Sequence, residues 1–230
     1  MLSKRLQKGV CLYNNPLTNE KDVSDWVKEG ELNVSFSELG MELSNKLDPE
    51  EHGDHAHWLF WCKEEFPDEV VIEWEFTPLE EPGLCMFFFA ANGSDGRDLF
   101  DKDLKQRTGY YPQYHSGDIH TLHLSYFRRK WDNERAFHTC NLRKSSGFHL
   151  VAMGADPIPN VEDVQEPFQI KLIKYKEYVS FSINDLEVLT WEDDGSTGAM
   201  LTNGRIGFRQ MAPMRARYKN LKVYQAVLEV

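Results

Sequence analysis

The stretch "EVVIEWEFTP", Glu69 to Pro78, alternates apolar and polar residues with a period of two. Successive side chains on a strand point to opposite faces. Val70, Ile72, Trp74 and Phe76 therefore share one face, and Val71, Glu73, Glu75 and Thr77 share the other. The same period recurs in short runs separated by turn residues. "LNVSFSELGMELS" reads as a hairpin turning near Gly40, and Phe66-Pro67-Asp68 separates "WLFWC" from the stretch above. "GLCMFFFAANG" is apolar on both faces, as a central strand is. A polar loop, Ser94 to Lys105, leads to a strand over Ile119 to Phe127, then to "RAFHTCNLRK" and "FHLVAMG". "FQIKLIKYKEYVSFSINDLEVLTW" is a meander with turns near Lys176-Glu177 and Asn184-Asp185, and "GRIGFRQM" and "RYKNLKVYQAV" follow it.

So many short strands, with no βαβ rhythm and no long helix, restrict the chain to an all-β, two-sheet antiparallel sandwich. Nothing in it reads as a repeat, a low-complexity tract or a linker, so one domain over residues 1–230 is expected. Trp74, Leu122, Leu124, Phe208 and Val223 are expected to face inward. A chain of this length buries roughly 70% of its unfolded surface, so no staples are needed for a core.

The net charge of −11 argues against nucleic acid or an anionic membrane as the main partner, because phosphate binding needs a basic face. Polar residues interrupt "MLSKRLQKGVCLYNN" before an apolar signal core can form. No run approaches the ~18 apolar residues of a membrane span. Cys11, Cys62, Cys85 and Cys140 show no C-x-x-C spacing and are expected to be reduced, small core residues in a cytoplasmic protein. "HGDHAH" brings His52, Asp54, His55 and His57 close in sequence but matches no standard zinc spacing. No phosphate loop, nucleophile elbow or dinucleotide fingerprint is present. Neither a metal nor a cofactor is expected.

The candidate site residues come from strand parity. Two carboxylates at i and i+2, Glu73 and Glu75, have the spacing of a retaining glycosidase pair, whose carboxyl groups stand ~5–5.5 Å apart. The alternative is a solvated outer face of ordinary polarity. On 119–127, Leu122 and Leu124 turn inward and leave Thr121, His123 and Ser125 outward. Cys140 and Leu142 likewise leave Thr139, Asn141 and Arg143 outward. If these strands are neighbours, Glu73, Glu75, His123, Ser125, Asn141 and Arg143 converge, a set suited to sugar hydroxyls and carboxylates. Tyr110, Tyr111, Tyr114 and Tyr126 could rim such a face for ring stacking, or pack within loops. Two basic clusters, Arg128-Arg129-Lys130 and Arg143-Lys144, would draw an anionic ligand, or would pair with the abundant acids.

An early hairpin, "VVIEWEFTP" and the pair "GRIGFRQM…ARYKNLKVY" together resemble the concanavalin A-like lectin/glucanase jelly roll, which includes galectin-like folds. More narrowly, "HLSYFRR", "NLRKSSGFHLVAMGADPIP" and "GRIGFRQM" resemble the YesU-like family of uncharacterised bacterial proteins, over essentially the whole chain. The resemblance implies two large packed sheets, a carbohydrate cleft on the concave one, and company with bacterial pectin-type polysaccharide utilisation. Many jelly-roll glucanases carry an E-x-D-x-E strand. Here only "EWE" stands, with Val71 where a third acid would lie.

Three functions compete on these residues. One is binding of acidic oligosaccharides through Tyr114, Ser125, Arg128, Asn141 and Arg143. Another is a glycoside hydrolase on Glu73 and Glu75. The third is a polysaccharide lyase with His123 or Tyr126 as base and Arg143 against the uronate. A non-catalytic structural module and a homo-oligomer both remain open.

Overall fold

The structure, a computed structural model, describes residues 2–229. Among these residues, fifteen strands form two antiparallel sheets packed face to face. The first sheet runs β13 (Leu186–Glu192), β12 (Tyr178–Ile183), β11 (Phe168–Tyr175), β6 (Val70–Glu80), β15 (Arg215–Leu228), β4 (Gly40–Asn45), β3 (Leu32–Ser37), and β1 (Leu6–Asn15) also pairs with β15. The second runs β10 (His149–Ala155), β9 (Thr139–Ser145), β8 (Ile119–Tyr126), β7 (Leu84–Gly93), β14 (Gly204–Met211), β5 (Trp58–Phe66), β2 (Val27–Glu29). Helix is confined to short turns such as Pro112–His115 and Asp132–Ala136. No helix among the described residues is long and apolar enough to cross a membrane.

The inter-sheet core is the sum of the inward faces. Trp74, Leu122, Leu124, Phe208 and Val223 all lie in it, as parity predicts. Trp74 stacks on Phe87 with ring centroids 4.3 Å apart and meets Phe208 edge-on at 5.8 Å, tying β6 to β7 and β14. Such aromatic pairs add about 0.5–1.5 kcal/mol each beyond area burial. The β3–β4 hairpin turns before Gly40, whose φ of +130° suits glycine, and the meander turns use positive φ at Lys176, Asn184 and Asp185.

Three expectations need correction. Strand β1 was not foreseen: only Leu6 and Asn15 in it are buried, because it lies along β15 as an outer strand and carries little apolar alternation. Cys11, on β1, is exposed and is not a core residue, whereas Cys62, Cys85 and Cys140 are buried. Tyr126 shares the parity of Leu122 and Leu124 and points into the core, where its hydroxyl accepts from Trp74 Nε1 at 3.3 Å. It can neither rim a surface cleft nor reach a substrate as a base.

Candidate functional site

Cross-strand register defines two rows of side chains on the outer face of the second sheet. One row reads Met153–Asn141–Ser125–Met86–Arg209–Leu59–Glu29 from β10 across to β2. The next reads Leu150–Arg143–His123–Phe88–Gly207–Trp61–Val27. His123, Ser125, Asn141 and Arg143 thus converge as parity predicts.

Glu73 and Glu75 do not join them. They project from β6 on the outer face of the opposite sheet, where Glu73 accepts from Lys8 Nζ at 3.0 Å and Glu75 from Asn220 Nδ2 at 2.8 Å. Lys171 and Lys222 stand opposite Glu73 on the neighbouring strands. The pair is a charge-matched surface stripe there. The error lay in assuming that β6 and β8 share a sheet.

The face has a covered half and an open half. Over β7, β14 and β5, the segment 94–118 lays Leu99, Leu104 and Tyr114 on Leu59, Trp61, Met86 and Phe88. Tyr114 is fully buried, its hydroxyl accepting from Gly109 N at 3.0 Å, so it anchors this cover and presents no free ring. Gly109 is required at its position: φ is +88°, and a Cβ would sit 2.1 Å from the His57 carbonyl oxygen. Toward β10 the face opens, with Ser125 and Arg143 partly exposed and Leu150 and Met153 49% and 63% exposed, whereas His123 and Asn141 are buried.

The basic groups divide sharply. Arg128 pairs with Glu134 at 2.5 Å, donates to Thr139 Oγ1 at 2.7 Å and, with the Asn141 amide oriented to suit its neighbours, donates to that amide oxygen at 3.1 Å. Arg129 is buried against Asp156 at 3.3 Å and donates to the Ile158 carbonyl. For these two, structural pairing is the outcome. Arg143 differs. Its guanidinium lies 4.0 Å from the Phe148 ring centre and donates to the Phe148 carbonyl at 3.1 Å, and no described carboxylate pairs with it. Ser125 Oγ reaches only the Asn141 carbonyl, at 3.4 Å.

Arg209, from β14, escaped the sequence reading. The signal was there, since in "GRIGFRQM" Arg205, Gly207 and Arg209 alternate against the inward Ile206 and Phe208. Arg209 is completely buried, donates from Nη1 to the Gly109 carbonyl at 2.7 Å, and leaves Nε and Nη2 without partners. His123 is 2% exposed with neither ring nitrogen partnered. Burial, then Arg143, His115 and Arg209, push its pKa down to about 3, so the ring is neutral near pH 7. Tyr111 lies between these groups, its ring 4.9 Å from the Arg209 guanidinium and 5.8 Å from the His123 ring.

His57 of the "HGDHAH" stretch is buried too, its Nδ1 accepting from Ala212 N at 3.0 Å and its Nε2 facing Asp54 at 3.1 Å. No group of three or more metal-ligating side chains occurs among the described residues. A hollow of about 410 Å³ lies elsewhere, at the β2–β3 edge, lined by residues including Trp26, Lys28, Phe36 and Phe60. It carries no unpartnered buried donors, so charge and hydrogen-bond vacancy, rather than volume, mark the β8–β10 face.

Fold and face together define a galectin-like jelly-roll sandwich with a cationic outer sheet face. The chain belongs to the family described as Domain of unknown function (DUF1961), which matches residues 10–223. The Uncharacterized protein YesU of Bacillus subtilis (strain 168) is 58% identical over 222 residues, spanning 96% of this chain and 98% of that protein. A crystal structure of a protein of unknown function with galectin-like fold from Bacillus subtilis aligns with a TM-score of 0.93 at 57% identity, covering 97% and 99% of the two chains. The carbohydrate recognition domain of Emp46p aligns with a TM-score of 0.60 at 16% identity, over 97% of this chain and 100% of that one, a likeness of fold.

Proposed function

We propose that this protein binds acidic oligosaccharides on the β8–β10 half of the second sheet, around the partly exposed Arg143. The observation that carries the reading is Arg143, a half-buried guanidinium without a carboxylate on a chain of net charge −11. Acids outnumber bases 37 to 26, so an accessible arginine left unpaired beside Ser125 and Asn141 reads as held for a ligand. A planar guanidinium matches a carboxylate with two parallel hydrogen bonds. The ring of Phe148 fixes the plane of that fork in advance, which lowers the ordering cost of binding. Leu150 and Met153, exposed along the same two rows, offer apolar contact for sugar C–H faces. Carbohydrate recognition by the domain of Emp46p, built on the same fold, agrees with this reading. A uronic acid chain of the pectin type fits the charge, and four free thiols fit a reducing, cytoplasmic setting.

The test is titration calorimetry with a galacturonate trimer and a neutral galactose trimer. Arg143→Ala should weaken binding of the acidic trimer by about tenfold or more, the cost of a lost charge-assisted hydrogen bond. The neutral trimer should be unaffected, and equal loss for both would make Arg143 a structural residue.

A second reading, lyase chemistry, is favoured by one observation: His123 is neutral and has both ring nitrogens free on the strand beside Arg143. A neutral imidazole can take the C5 proton while a guanidinium neutralises the adjacent carboxylate; the C4–C5 double bond then forms as the C4–O bond breaks, and the departing sugar oxygen takes a proton. The same trimer, incubated with protein, would then gain the ultraviolet absorbance of an unsaturated uronate. His123→Ala would abolish that gain.

A further inference from the structure

Along the row Met153–Asn141–Ser125–Met86–Arg209, Met153 is 63% exposed, Asn141 is buried, Ser125 is partly exposed, and Met86 and Arg209 are buried. Beyond Met86 the segment 94–118 closes over the sheet. The accessible part of the face is thus a strip over Ser125, Arg143, Leu150 and Met153, closed toward β14, where Arg209 stands under the cover.

Two buried groups there lack partners. Arg209 has Nε and Nη2 free, and its two near neighbours are the rings of Tyr111 and Tyr114, at 4.9 and 5.2 Å. His123 has Nδ1 and Nε2 free and is hemmed by Phe88, Tyr111 and Phe148. Buried donors without partners are costly, about 1–3 kcal/mol each and more for a charged group, and are rare away from functional sites. An arginine buried without a paired carboxylate is dearer still, and stacking on two tyrosines, with the more distant charges of Asp54 and Glu29, offsets part of that. Tyr111 lies against both, and it is itself only partly buried. Movement of Tyr111 would open a path from Arg209 and His123 toward the accessible strip over Ser125 and Arg143.

We infer that Arg209 and His123, beneath Tyr111, form an enclosed carboxylate subsite that receives the terminal residue of an acidic sugar chain. The site then recognises chain ends, and the next residues lie over Ser125 and Arg143. Internal stretches of a long polymer cannot reach Arg209, because the chain would have to pass through the packed segment 94–118. This rests on the reading of the face as an acidic-oligosaccharide site and adds to it which part of the chain is bound.

The experiment compares galacturonate trimer with high-molecular-weight polygalacturonate, titrated into the full chain by calorimetry. A site for ends counts chains, so affinity per carboxylate should be far weaker for the polymer while affinity per chain is similar. Arg209→Met should reduce trimer affinity by about tenfold or more, from loss of a bidentate charge-assisted contact. If Arg209→Met fails to fold, Tyr111→Trp takes its place, since it fills the entrance with Arg209 intact. It too should cost the trimer about tenfold. Polymer binding as strong per carboxylate as the trimer, with either variant unchanged, overturns the end-on subsite while the acidic-ligand reading stands. If neither trimer nor polymer binds the parent protein, both readings fall together.

Discussion

On the outer face of the first sheet, Glu73 meets Lys8 at 3.0 Å and faces Lys171 and Lys222 across the adjacent strands. On that of the second sheet, Arg143 and Arg209 meet no described carboxylate. Both faces arise from the same alternation, with apolar residues inward and polar residues outward, and from one strand at a time they look alike. What separates them is the settlement of charge across neighbouring strands. A matched surface pair is worth little, with a median of about 0–1 kcal/mol, and costs little to keep. An unmatched buried guanidinium is costly to keep and is retained where something outside the chain completes it.

The largest effect should come from unsettling an arginine that is already matched. Arg129 and Asp156 are both fully buried, and burial raises the Asp156 carboxyl despite Arg129 and a backbone N–H from Ile158. The pair returns less than its desolvation cost, yet removing one member strands the other. Asp156→Ala should therefore cost about 3–5 kcal/mol in urea unfolding. Arg209→Met leaves no orphaned acid and should cost less than half as much by the same measurement. Equal costs for the two would break the distinction between matched and unmatched arginines.

A second effect sharpens the comparison through pH. Burial holds His123 at about 3 and His57 at about 4, both below the usual 6.5 of histidine. The unfolded chain then binds more protons than the native one, so stability falls as pH drops from about 6.5 toward those values. The slope is at most about 1.4 kcal/mol per pH unit for each ring. His123→Gln should flatten the decline between pH 6.5 and 4 by up to that amount, with His57 and His115, also held low by burial, supplying what remains. An unchanged slope would mean that His123 is not the neutral, enclosed ring described above.

These effects also mark how far sequence could reach. Parity placed His123, Ser125, Asn141 and Arg143 together, because β8 and β9 are near in sequence and pair directly. It failed for Glu73 and Glu75, because which sheet β6 joins depends on its pairing with β11 and β15, over a hundred residues away in one case. Tyr126 was misplaced against its own parity, its hydroxyl suggesting a surface role that Trp74 in fact absorbs inside the core. Arg209 was passed over since a lone arginine on a closing strand looks like any surface cation until the cover of segment 94–118 is seen. Local alternation is written in each strand, whereas sheet partnership and loop coverage are long-range and leave no local mark.

The smallest effect tests the other side of the comparison. Glu73 is partly exposed, its partner Lys8 is half exposed, and the two are held by one contact at 3.0 Å in reach of solvent screening. Glu73→Gln keeps the shape of the side chain and removes its charge. Stability should change by less than about 1 kcal/mol, the ordinary worth of an exposed pair, and the change should shrink further as salt is raised. Because β6 lies in the opposite sheet, galacturonate trimer affinity should match that of the parent, and Glu75→Gln should behave likewise with Asn220 still able to donate to the amide oxygen. Calorimetry on both variants, beside urea unfolding at low and high salt, reads both quantities. A loss of ligand binding with stability intact would place the functional surface on the first sheet after all, and the unmatched arginines of the second would then need another explanation.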